Sequence, residues 1–89
     1  MLKVDVLADN LRKICKKKGW DLDWSNGGCY LHLEASEFIE ALRGKKSDPK
    51  KEAADVLFML FAMAQEHGIK PSEILAELVV LATNLDTKD

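Results

Sequence analysis

The stretch EAADVLFMLFAMA, residues 52–64, decides how this chain folds. From Ala53 to Ala64 every residue is apolar except Asp55. A carboxylate drawn out of water without a partner costs several kcal/mol or takes up a proton, so the sequence must provide compensation for it. Pro49 suits a first helical turn and Ser47 or Asp48 can cap it, which predicts a helix from about 49 to 66 that ends at His67 and Gly68. Phe58 and Phe61 cannot share a face with both Val56 and Met63, so the middle of this helix is apolar nearly all round. A helix of that kind is enclosed on most sides. With 89 residues the chain hardly supplies enough neighbours. A homodimer or homotetramer, with this helix near the interface, is therefore expected.

On the N-terminal side, Leu31, Ala35, Phe38 and Leu42 recur at helical spacing and predict a helix from about 29 to 43, with Gly44 as its C-cap. Leu7, Leu11 and Ile14 predict another over about 3–17, stopped by Gly19. Between these two helices, GWDLDWSNGG (19–28) reads as a turn. On the C-terminal side, a fourth helix starts at Pro71 and carries Ile74, Leu75, Leu78 and Leu81. The expected fold is all-α: one domain over residues 1–89, an antiparallel bundle of about four helices completed by homo-oligomerisation.

Composition narrows the function. A hydrophobic share of 47% suits a globular core, and a net charge of −2 speaks against a binder of nucleic acid polymers. The basic cluster RKICKKKGW reads as a solvated helix end. Cys15 and Cys29 form no CxxC and read as free thiols in a reducing compartment. MLKVDVLADN lacks the apolar core of a secretory signal, and the run around residue 60 falls short of the about 20 residues that span a bilayer. A cytoplasmic protein without membrane contact is expected.

Glu52 lies three residues before Asp55, on the same helix face. The preceding helix repeats the device with Glu34 and Glu37. If the two helices pack antiparallel through their apolar faces, four carboxylates meet in one half-buried pocket. Two unit charges at 4 Å repel by about 4 kcal/mol at an effective dielectric of 20, so either some of the four protonate or cations sit among them. Hard oxygen ligands without histidine or thiolate suit Mg²⁺ or Mn²⁺. A di-iron bundle would want Glu-x-x-His pairs. Glu-x-x-Glu alone is commonly surface charge; its weight here comes from the apolar setting of Asp55.

LEASEFIEAL followed by KEAADVLFMLFAMAQEHGI resembles the MazG-like all-α nucleoside triphosphate pyrophosphohydrolases. Their pattern is Glu-x-x-Glu on one helix, then Glu-x-x-Asp and an apolar run on the next. Glu34, Glu37, Glu52 and Asp55 match its four positions as metal ligands. The resemblance implies hydrolysis of a (deoxy)nucleoside triphosphate to the monophosphate and pyrophosphate, Mg²⁺ as cofactor, and dimers or tetramers of helical bundles. Metal at the quartet would neutralise charge on the phosphate oxygens and activate water near neutral pH, with Glu34 or Glu37 taking the proton.

Around the quartet, Trp20 and Trp24 are candidates to stack on a base, or else core or interface aromatics. Lys13, Lys16, Lys17, Lys45, Lys46, Lys50 and Lys51 are candidate phosphate contacts, each equally at home in solvent. Glu40 extends the acidic ridge, and His32 and His67 read as surface residues. Some family members carry a Lys and an Asn one turn apart on the last helix. Here Asn84 is present, but Val80 stands one turn earlier. Two other readings remain open at this point. One is a non-catalytic helical module that binds a nucleotide or a protein. The other is a structural bundle whose acidic pairs form interhelical salt bridges with lysines.

Overall fold

The computed structural model describes residues 3–44 and 47–87, with the side chains of 26–29 set aside. It contains four helices and, among the described residues, no strand: α1 (Lys3–Lys18), α2 (Asn26–Leu42), α3 (Pro49–Glu66) and α4 (Pro71–Thr87). The all-α expectation holds. Three of the four helices start within a residue of their expected positions; α2 starts three residues early. Gly27 and Gly28, read as a turn, lie in its first turn. A helical glycine costs only about 1 kcal/mol relative to alanine, an amount the seventeen-residue helix absorbs.

Local chemistry sets the helix ends. Asp48 caps α3, its side chain accepting from the Lys50 backbone N–H at 3.1 Å, and Pro49 occupies the first turn. Gly19 adopts φ +75°, which a side chain would resist. It closes α1 in a Schellman arrangement, in which Trp20 N–H reaches the Cys15 carbonyl at 2.9 Å. Gly68 does the same for α3, sending Ile69 N–H to the Ala64 carbonyl at 2.8 Å.

α3 is the hub. It packs most extensively against α2, then against α1, and also touches α4. The core gathers Cys15, Leu22, Met59 and Ala62, with Leu11, Leu31, Phe58 and Met63 packed around it. On α1 the buried face runs through Asp5, Ala8 and Cys15, whereas Leu7 and Ile14 are partly exposed. Small side chains, with Leu11 beside them, thus carry the inward face of α1, while Leu7 and Ile14 lie at its flanks. Arg12 and Lys16 pair with Glu66, tying the basic end of α1 to the end of α3. His67 Nε2 lies 3.3 Å from the Leu22 carbonyl, fastening the 19–25 loop to the same end. Most of α4 beyond Ile74 is exposed, including Leu75, Leu78, Val79, Leu81 and Leu85. No described helix is long and apolar enough to cross a membrane.

The start of α4 shows how the bundle is closed. The first N–H groups of a helix have no partner within it. Glu73 accepts from Lys70 N–H at 2.9 Å, and Asp5 of α1 accepts from Ser72 N–H at 2.9 Å and from Ser72 Oγ at 2.6 Å. A side chain from the first helix thus caps the last. The Ser72 hydrogen bonds hold the Asp5 carboxyl below its ordinary value of 3.8. A carboxylate with a lowered folded-state pKa stabilises the fold above its unfolded value, and that support is lost as pH falls through the folded value. Asp5→Ala is expected to melt at a lower temperature than the parent at pH 7. Calorimetry should show the difference narrowing once the pH drops below 3.8.

Candidate active site

α2 and α3 form a helical hairpin, and its facing sides bring the acidic pairs together. Carboxylate oxygens of Glu34, Glu37 and Glu52 all lie within 4.8 Å of one another. Their settings differ. Glu52 is only 4% exposed, Glu34 is half-buried and Glu37 is exposed. Glu34 Oε2 and Glu52 Oε2 are buried with no hydrogen-bond partner among the described residues. Asp55, one turn beyond Glu52, stands at the edge of this group. Lys51 Nζ sits 2.9 Å from Asp55 Oδ2 and 3.8 Å from Glu52 Oε1. The two carboxylates in turn hold the Lys51 ammonium above its ordinary value. This pairing lies within α3, not between helices as the structural-bundle reading supposed.

The electrostatics follow from the crowding. Burial, then the charges of Glu37 and Asp55, then a hydrogen bond shared with Glu37 and the charge of Glu52 push the Glu34 carboxyl above its ordinary value of 4.5. All the converging groups are carboxylates. That donor set is the one hard divalent cations take, and the two unpartnered buried oxygens leave it room to accept one.

Beside the carboxylates opens a cavity of about 380 Å³ lined by Trp20, Tyr30, Glu34, Asp55, Phe58 and Met59. Trp20 meets Phe58 edge-on, with ring centroids 6.4 Å apart, and Lys18 Nζ lies 5.4 Å from the Trp20 ring centre. The Gly19 turn places Trp20 there. Tyr30 was not singled out from the sequence, although the spacing held the signal. It precedes Glu34 by four residues, as Met59 follows Asp55 by four, and such pairs share a helix face.

Of the other residues singled out, Trp24 is 76% exposed and does not line the cavity. Lys13 pairs with Asp9 at 3.1 Å on α1. Asn84 is exposed on α4. Glu40 pairs with Arg43 at 3.3 Å. Lys45, Lys46 and the side chain of Cys29 lie outside the described residues.

A helical bundle, without strands among the described residues and with carboxylates converging beside a cavity, suits the class that the family match identifies: a pyrophosphohydrolase, a hydrolase acting on phosphoric anhydride bonds. Residues 29–79, more than half of the chain, match the family model for phosphoribosyl-ATP pyrophosphohydrolase, and the chain belongs to this MazG-like family of nucleotide pyrophosphohydrolases. No curated protein and no solved structure matches it significantly. The matched span contains all four carboxylates together with Tyr30, Phe58 and Met59, and leaves out Trp20, Lys13 and Asn84.

The raised pKa of Glu34 has a thermodynamic consequence. A carboxyl group with a raised folded-state pKa binds more protons in the fold than when unfolded. The metal-free fold therefore loses stability as pH climbs from 4.5 through the raised value. Glu34→Gln is expected to raise the melting temperature of the metal-free protein by a few degrees at pH 7, and the gain should fade below pH 4.5.

Proposed function

We propose that this protein is a Mg²⁺-dependent pyrophosphohydrolase, with Mn²⁺ as a substitute, that converts a (deoxy)nucleoside triphosphate to the monophosphate and pyrophosphate. Three observations support the metal: the convergence of Glu34, Glu37 and Glu52 within 4.8 Å, the two buried oxygens without partners, and the exclusively carboxylate donor set. In this reading Glu34, Glu37, Glu52 and Asp55 hold the ion. When bound, Mg²⁺ supplies positive charge to the phosphate oxygens and makes water a usable nucleophile near neutral pH.

The chain's own residues do the rest. Glu52 and Asp55, one turn apart on α3, would hold the ion at the polyphosphate end of the substrate, which their own negative charge would otherwise repel. Glu34 or Glu37, whichever keeps an oxygen not occupied by the ion, accepts the proton of the attacking water. Trp20, Tyr30 and Phe58 give the cavity aromatic walls for a base, and its volume falls within the about 300–1,000 Å³ usual for small-molecule sites. Phosphoribosyl-ATP, the substrate in the family's name, is itself a nucleoside triphosphate derivative with the same triphosphate chain.

The reading extends to assembly. Residues 1–89 form one domain. The exposed apolar side chains of α4, with those of Leu7 and Ile14 on α1, are surface that a homodimer or homotetramer would cover.

The test is product analysis over a panel of nucleoside triphosphates, with phosphoribosyl-ATP included. Pyrophosphate and monophosphate should appear with Mg²⁺ or Mn²⁺ and disappear with chelator; nucleotide binding without turnover would overturn the catalytic reading. Glu52→Gln and Asp55→Asn should each lower turnover by at least about a hundredfold, because even the outer partners of metal ligands are worth about 10–100-fold. Saturating Mg²⁺ should raise the melting temperature of the parent protein, as any ligand selective for the fold does.

A further inference from the structure

Lys51 stands in the position that a cation bound to the carboxylates would contest. Its ammonium pairs with Asp55 at 2.9 Å, the one cation that does so among the described residues, and it reaches toward Glu52 at 3.8 Å. The geometry comes from the helix itself: Lys51 immediately precedes Glu52 and lies one turn before Asp55. The two ends of this ion pair are held differently. The Glu52 side chain is 6% exposed and locked between helices, whereas the Lys51 side chain is 67% exposed and anchored only by its own backbone. A flexible lysine stem of this kind can turn away without disturbing the core. Neighbouring Lys50 is also exposed, but no ion pair joins it to the cluster among the described residues.

We propose that Lys51 is a displaceable counter-ion of the carboxylate cluster: it neutralises Asp55 while the site lacks metal, yields Asp55 when a divalent cation arrives, and then offers its charge to the polyphosphate of the substrate. This rests on the metal site put forward above. The argument is one of like charges. A divalent ion among Glu34, Glu37 and Glu52 repels the ammonium beside Asp55, and the carboxylate cannot serve both cations from the same oxygen. Metal binding therefore weakens the Lys51–Asp55 pair through repulsion of the ammonium, and Lys51 by the same repulsion weakens metal binding. The freed ammonium stands at the edge of the cluster where the anionic part of a nucleotide would meet the metal.

The experiment is titration of the metal-free, full-length protein with Mn²⁺ alone, read by calorimetry, on the parent and on Lys51→Met, Lys51→Arg and Glu52→Gln. Methionine keeps the stem length and the helix preference while removing the charge. Lys51→Met should bind Mn²⁺ more tightly by about two- to fivefold, the factor an exposed ion pair is worth, and the gain should shrink in high salt. Lys51→Arg should bind Mn²⁺ as the parent does. Glu52→Gln should lose binding. With Mn²⁺ present, inorganic tripolyphosphate should bind Lys51→Met more weakly than the parent.

If the parent binds Mn²⁺ and Lys51→Met binds it equally or less tightly, the counter-ion role fails and the metal site stands. Unweakened tripolyphosphate binding by Lys51→Met removes the hand-over to substrate. If the parent binds no Mn²⁺, the metal site fails and the counter-ion role fails with it.

Discussion

The confinement of negative charge between α2 and α3 governs this molecule. Glu52 is buried near the start of a helix whose middle is apolar apart from Asp55, and Glu34 and Glu37 are brought up to it by the hairpin. Lys51 offsets part of this charge from the edge, at Asp55 and Glu52, but among the described residues no cation reaches Glu34, and burial with its neighbouring carboxylates pushes its carboxyl above the ordinary value. The fold tolerates it because the apolar remainder of α3 packs against both α1 and α2. Favourable burial along one helix offsets unfavourable charge at its beginning, which is how a functional site departs from what stability alone would choose.

The helices were legible because their signals are local. Asp48 and Pro49 mark the start of α3, Gly19 and Gly68 mark the ends of α1 and α3, and the apolar spacing between them has one period throughout. The acidic pairs were legible for the same reason, since three-residue spacing fixes a common face. What spacing could not give is rotation. Leu7, Leu11 and Ile14 looked like the inward face of α1; Leu11 does pack against the core, but Leu7 and Ile14 are exposed and Ala8 and Cys15 are the residues fully inside. The start of α2 was missed because two glycines look like a break wherever they stand.

The carboxylate cluster was legible in the sequence and the cavity walls less so. Glu34, Glu37 and Glu52 converge as their spacing implied, and Trp20 reaches the cavity through the turn at Gly19. Tyr30 contributes through a partnership with Glu34 that only appears once the helix is wound. Lys51 illustrates a different limit. Among many lysines its mark was the four-residue spacing to Asp55, which gains meaning only once Glu52 and Asp55 are seen to belong to the cluster.

The cap that Asp5 places on α4 joins residues 67 positions apart. Closing a span of that length costs more chain entropy than closing the few residues between α2 and α3. The hairpin can therefore assemble from its own local contacts, whereas the last helix acquires its cap only after the first has docked. The half of the molecule that carries the carboxylate cluster is thereby the half that needs least from the rest of the chain to form, and the outermost helix is the natural place for the structure to begin to open.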